Sequence, residues 1–190
     1  METGSLITIG AFVLLILYLI MIYNGLVSLK HAVTKAWSNI DVLLKQRHDE
    51  LPKLVETCKQ YMQYEQETLE KVMQARNAVY AAREKGNVGA VGKAESQLRM
   101  GLGSLFAVAE NYPDLKANET FIHLQTRISS LENSVADRRE FYNEAVNNNN
   151  VRIEQFPDVL IANMFNFTAA DLLEFSEEEK KDVNIKELFK

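Results

Sequence analysis

Five polar side chains lie on or beside apolar stripes in this 190-residue chain: Glu65, Arg76, Glu132, Asn133 and Arg138. A charge taken out of water without a partner costs several kcal/mol, so any of them that is buried must be paired. Glu65 and Arg138 are the candidates for one such inter-helix pair. Polar residues at seam positions more often fix helix register than do chemistry. A metal site of the di-iron bundle kind needs Glu-x-x-His on two facing helices, whereas His31, His48 and His123 stand isolated. Cys58, the single cysteine, falls on an apolar stripe with no histidine close in sequence, which suits a small core residue better than a nucleophile. Glu67 and Glu70 could be read as paired acids. Three apart and off the stripe, they fit a solvated charged edge better. There is no glycine-rich phosphate loop, nucleophile elbow or zinc spacing. The expectation is a protein that is not an enzyme, with no catalytic residue, cofactor, metal or small-molecule substrate.

The elements that position these residues begin with an apolar run. Leu6–Tyr23 is eighteen consecutive uncharged, mostly apolar residues. A helix needs roughly 20 residues to cross about 30 Å of hydrocarbon, so the run is long enough to span. A cleavable signal peptide would carry Lys or Arg before the run and a small-residue site after it, and neither is present around Asn24–Val27. A retained transmembrane helix is expected, with Tyr18 and Tyr23 suited to the headgroup level. No Lys or Arg precedes the run, while Lys30, Lys35, Lys45 and Arg47 follow it. The positive-inside tendency therefore predicts a single-pass membrane protein with its body on the cytoplasmic side. A lone cysteine, which cannot form an intramolecular disulfide, agrees with a reducing compartment.

Three prolines and eight glycines leave room for long helices. Val33, Trp37, Ile40 and Leu44 predict that the first helix continues beyond the membrane; at Pro52 a kink or a fresh start is expected, and Asp49 as N-cap favours the fresh start. From Leu51 to Val79 apolar residues recur by threes and fours, predicting one long helix, which Gly86, Gly89 and Gly92 then close into a hairpin. A third stripe, Ala94 to Val108, runs up to Tyr112 and Pro113. In the "YPDLKAN" turn that follows, Asp114 or Asn118 can cap the next helix. Phe121, Leu124, Ile128, Leu131, Val135, Arg138, Tyr142 and Ala145 form a seven-residue repeat that Asn147–Asn150 should terminate or weaken. Phe156, Leu160, Ile161, Met164, Phe165 and Phe167 crowd a short segment and must be covered by the bundle, by another subunit or by lipid. The fold class is all-α: a transmembrane helix, then a coiled-coil-like antiparallel bundle of about four long helices with a short C-terminal one.

The net charge of −5 is modest, and seven acids against four bases in Asp171–Lys190 supply about three of those charges. No basic stripe exists, which argues against nucleic acid. The acid-rich "SEEEKKD", Ser176–Asp182, reads as a solvated helix or tail. Asn118-Glu-Thr and Asn166-Phe-Thr match a glycosylation triplet that a cytoplasmic domain would leave unused.

The stretches "YNGLVSLKHAVTKAWSNIDVLLKQRHDELPKLVETCKQYMQYEQETLEKVMQAR" and "ENYPDLKANETFIHLQTRISSLENSVADRREFYNEAVNNNNVRIEQFPDVLIANMFNF" resemble the LemA family of bacterial membrane proteins, in order and over nearly all of Tyr23–Phe167. The resemblance implies one N-terminal span, a short stub outside, and a long-helix domain inside the cell. The expected organisation is a stub at 1–5, a span at 6–23, a bundle at 24–168 and an acidic tail at 169–190. The expected function is a membrane-anchored scaffold that self-associates through Phe156, Leu160, Ile161, Met164, Phe165 and Phe167. The alternative is a monomeric membrane-anchored adaptor docking a signalling or proteolytic partner, with other membrane proteins as possible partners.

Overall fold

The computed structural model describes residues 2–174, all of whose regular elements are helices. They are α1 (Glu2–Lys59), α2 (Gln66–Glu84), α3 (Val88–Ala109), α4 (Pro113–Lys116), α5 (Glu119–Glu154) and α6 (Asp158–Met164). The acidic Ser176–Asp182 run lies outside the described residues. Two compact units form, one from residues through Asn39 with Glu140–Leu172, the other from Ile40–Arg139 with Leu173 and Glu174. Both α1 and α5 contribute a segment to each.

In the second unit, side-chain pairings fix the register. Glu50 meets Arg127 and Tyr61 meets Asn118, so α1 and α5 run antiparallel there. Asp41 meets Arg83 and the His48 carbonyl meets Arg76, so α1 and α2 do likewise. The core between them takes Leu51, Leu54 and Cys58 of α1, Leu69 and Val72 of α2, Leu98, Leu102 and Leu105 of α3, and Phe121, Leu124 and Ile128 of α5. Each such side chain, fully buried, stabilises by roughly 1.5–3 kcal/mol before entropy is counted. Gly86, at φ +63°, supplies the left-handed turn after α2, and Asn87 caps α3 by accepting the Ala90 amide at 2.8 Å. Asn118, one of the two expected caps, accepts the Phe121 amide at 3.0 Å.

Three boundary expectations are corrected. Pro52 starts no new helix but sits inside α1. A proline has no amide hydrogen, so the His48 carbonyl one turn earlier loses its intrahelical donor. Arg76 Nε of α2 donates to that carbonyl at 2.9 Å, and buried Leu51, Leu54 and Val55 hold the helix on its core. Arg76→Met is expected to cost about 1–3 kcal/mol by orphaning the carbonyl. The loss should shrink in a Pro52→Ala background, which restores the missing N–H. Equal losses in both backgrounds, by urea unfolding, would refute this account.

The long helix expected from Leu51 to Val79 is broken at residues 60–65, where Met62, buried within the turn, keeps the apolar spacing continuous although the chain reverses. The asparagine run does not end α5, which continues to Glu154. Asn150 instead uses both ends of its side-chain amide on Ala170, donating to its carbonyl and accepting its N–H, each at 2.9 Å. With that tertiary partner the side chain has no need to compete for the helix backbone.

In the first unit Trp37 and Tyr142 pack with ring centroids 5.4 Å apart. Ile22 and Leu26 of α1 are buried with Ile153 of α5 and with Ile161 and Ala162 of α6.

Candidate functional site

Two features stand out chemically, one in each unit. The first is a buried charge pair that the sequence stripes did not reveal. Arg47 lies three residues after Leu44 and four before Leu51; Glu95 lies four after Val91 and three before Leu98, so both occupy seam positions. The Arg47 guanidinium donates to both Glu95 carboxylate oxygens, and each side chain is 3% exposed. That spacing was the available signal, but which charges meet depends on inter-helix register.

Glu132 of α5 stands in the field of this pair. Burial pushes its carboxyl above the ordinary carboxylate range, opposed by Arg47 and Arg99 and reinforced by Glu95. A carboxyl whose folded pKa is raised stabilises the fold fully only below its unfolded pKa. That contribution is lost as pH rises through the folded value. Glu132→Gln, an uncharged mimic of the protonated form, should therefore raise the melting temperature by a few degrees at neutral pH, the gap closing in acid. A lower melting temperature at neutral pH would show instead that the Glu132 charge serves the arginines.

The expected Glu65–Arg138 pair is not brought together. Glu65 immediately precedes α2, four residues after Tyr61, whose hydroxyl accepts from Asn118. Arg138 is exposed on α5, twenty residues beyond Asn118 and so about 30 Å along the axis. It has left the seam, which passes instead through Val135, Tyr142, Val146 and Asn149. Arg76 serves His48 as described, and Asn133 is exposed.

Glu67 and Glu70 are both exposed. Glu67 pairs with Lys71 at 2.7 Å, whose hydrogen bond holds it below the usual carboxylate range. Cys58 is buried, and desolvation pushes its thiol up to about 12. His31 and His123 are exposed. His48 stacks on Tyr80 at 4.8 Å, its pKa lowered by burial and by Arg76. Among the described residues, no three His, Cys, Asp or Glu side chains converge as metal ligands. An open cleft of about 820 Å³ is lined by Val55, Met62, Leu69 and Met73, with Lys59 and Glu70 among its polar residues.

The second feature is apolar. Residues 3–21 are exposed without exception, and α1 carries a window there of mean hydropathy 2.7, long and apolar enough to cross a membrane. The six-residue surface expected near the C-terminus divides in two. Ile161 is buried, and Phe167, half-buried, packs with it against Ile22 and Leu26. Phe156, Leu160, Met164 and Phe165 remain exposed.

A family profile described as LemA family matches residues 36–186. Magnetosome proteins MamQ 1 and MamQ 2 of Paramagnetospirillum magneticum are each 25% identical over 190 residues, covering 88% of this chain and 69% of theirs. Protein LemA of Metamycoplasma hominis is 28% identical over 167 residues, covering 87% of this chain and 74% of its own.

Proposed function

The chain belongs to the LemA family, and from that premise we propose that it is a non-enzymatic, membrane-anchored helical scaffold that self-associates at the bacterial cytoplasmic membrane. The observation that carries this reading is the continuity of α1: its exposed apolar stretch passes without a loop into residues that pack both units, such as Leu26 and Leu54. An anchor of that kind holds a folded body at the membrane. The cytoplasmic placement of the body is supported by Lys30 and Lys35 just past the span, against no base before it. A non-enzymatic role is supported by how the interior polar groups are used: Arg47 holds Glu95, and Arg76 holds the His48 carbonyl. With Ile161 and Phe167 packed on α1, contacts between copies have the exposed apolar face of α1 available within the bilayer.

The test is the mass of the full-length protein in mild detergent, by light scattering coupled to gel filtration. A discrete particle of several copies is expected, and a strict monomer overturns self-association. The cleft beside Met62 and Met73 favours a second reading, a monomeric adaptor whose partner lays an apolar helix there. A one-to-one complex with a membrane partner, without self-association, would select it.

A further inference from the structure

We propose that the outward face of α6 rests in the lipid headgroup layer of the membrane that α1 crosses. The inference builds on the anchor reading and adds a second, monotopic contact. The height of α6 is set by its packing. Its inward face, Ile161 and Ala162, buries Ile22 and Leu26, and Phe165 and Phe167 place their rings 4.8 and 5.8 Å from that of Tyr23. Tyr23 ends the mostly apolar stretch just before Asn24 and Gly25, where a tyrosine sits at the boundary between hydrocarbon and water. The segment is thus clamped beside the end of the span.

Its outward face carries Phe156 at 80% exposure, Leu160 at 60%, Met164 at 65% and Phe165 at 51%. Four large apolar groups clustered in ten residues are more than a water-facing surface ordinarily holds together. The face also lacks charge. Asp158, the only ionisable residue of α6, is turned in and paired with Arg152 at 3.1 Å. Asn163 supplies a polar group without a desolvation cost as large as a charge would carry. Lys30, one turn past Leu26, offers a cation at the depth of lipid phosphates. A lipid surface accounts for all of these at once, because continuity with the span fixes both the depth and the chemistry of the occupant.

The test places a tryptophan at Leu160 in the full chain after Trp37→Phe, reconstituted in phosphatidylcholine vesicles containing some phosphatidylglycerol. Lipids brominated near the headgroup or near the bilayer centre serve as quenchers. A matching Leu15→Trp variant reports the span. Leu160→Trp should lose roughly half its emission to shallow bromine and much less to deep bromine, as for a face buried about 5–10 Å at the headgroup boundary. If Leu15→Trp is quenched by lipid while Leu160→Trp is not, the α6 proposal fails and the anchor stands. Aqueous acrylamide then separates a face left in water, which it quenches, from one covered by a second copy, which it does not. If neither tryptophan meets bromine, the anchor reading itself is overturned.

Discussion

Arg47→Met should destabilise the second unit by about 3–5 kcal/mol, because it leaves the Glu95 carboxylate in the interior with no cation. The pair is 3% exposed on both sides, so water cannot take the guanidinium's place without opening the helix packing. Set against a total of about 5–15 kcal/mol for a domain, that is a large fraction of the margin. The double variant Arg47→Met/Glu95→Met should recover most of the loss, since two apolar side chains of similar volume relieve both desolvation costs. Urea unfolding of the full chain in detergent reads both numbers. A single variant within about 1 kcal/mol of wild type would mean the carboxylate is satisfied another way, and the burial argument would fail. By contrast, the Glu67–Lys71 pair, 83% and 66% exposed, should vanish into experimental error when broken.

Gly92→Ala and Gly103→Ala should change stability in opposite directions although both lie in α3. Replacing a helical glycine by alanine ordinarily stabilises by about 0.5–1 kcal/mol, since the unfolded chain loses freedom. At Gly103 nothing stands within 4 Å of the new methyl, so the gain should appear. At Gly92 the methyl would collide with the Glu174 carbonyl oxygen and lie 3.5 Å from Leu173 Cδ1. The segment must move away, exposing Leu173, now 1% exposed, at a cost of up to about 1.5–3 kcal/mol that outweighs the propensity gain. Hydrogen exchange should show faster exchange across residues 170–174 in the Gly92 variant alone. Unchanged protection there would sink the prediction.

These sites also show which parts of the molecule could be read from the sequence. The long apolar helix and its continuation through Trp37 and Leu44 follow from length and spacing, and α1 realises both as one helix. The seam of α5 from Phe121 to Val135 follows from its repeat, and those five apolar positions are buried. Local rules failed where a distant residue supplied what the local chain lacked. Pro52 breaks helices for want of a donor, and Arg76, from the next helix, provides one. Asn150 weakens helices by bonding its own backbone, and Ala170 takes that bond instead. The Glu65–Arg138 pairing failed for another reason: position on a stripe gives the face of a helix but not its height against a neighbour. Arg47 and Glu95 satisfy both conditions, and only register could single them out. The divided face of α6 was hidden likewise, because seven residues make too little helix for periodicity to separate inward from outward.

Cys58, sealed in the core with its thiol held protonated, makes the chain its own opening clock. A thiol reagent added to intact membranes can react there only in molecules whose second unit has come apart, so the labelling rate at this one sulfur reports the open fraction directly. The stability differences above then become measurable in native lipid, on unpurified protein, as changes in how quickly a single adduct accumulates.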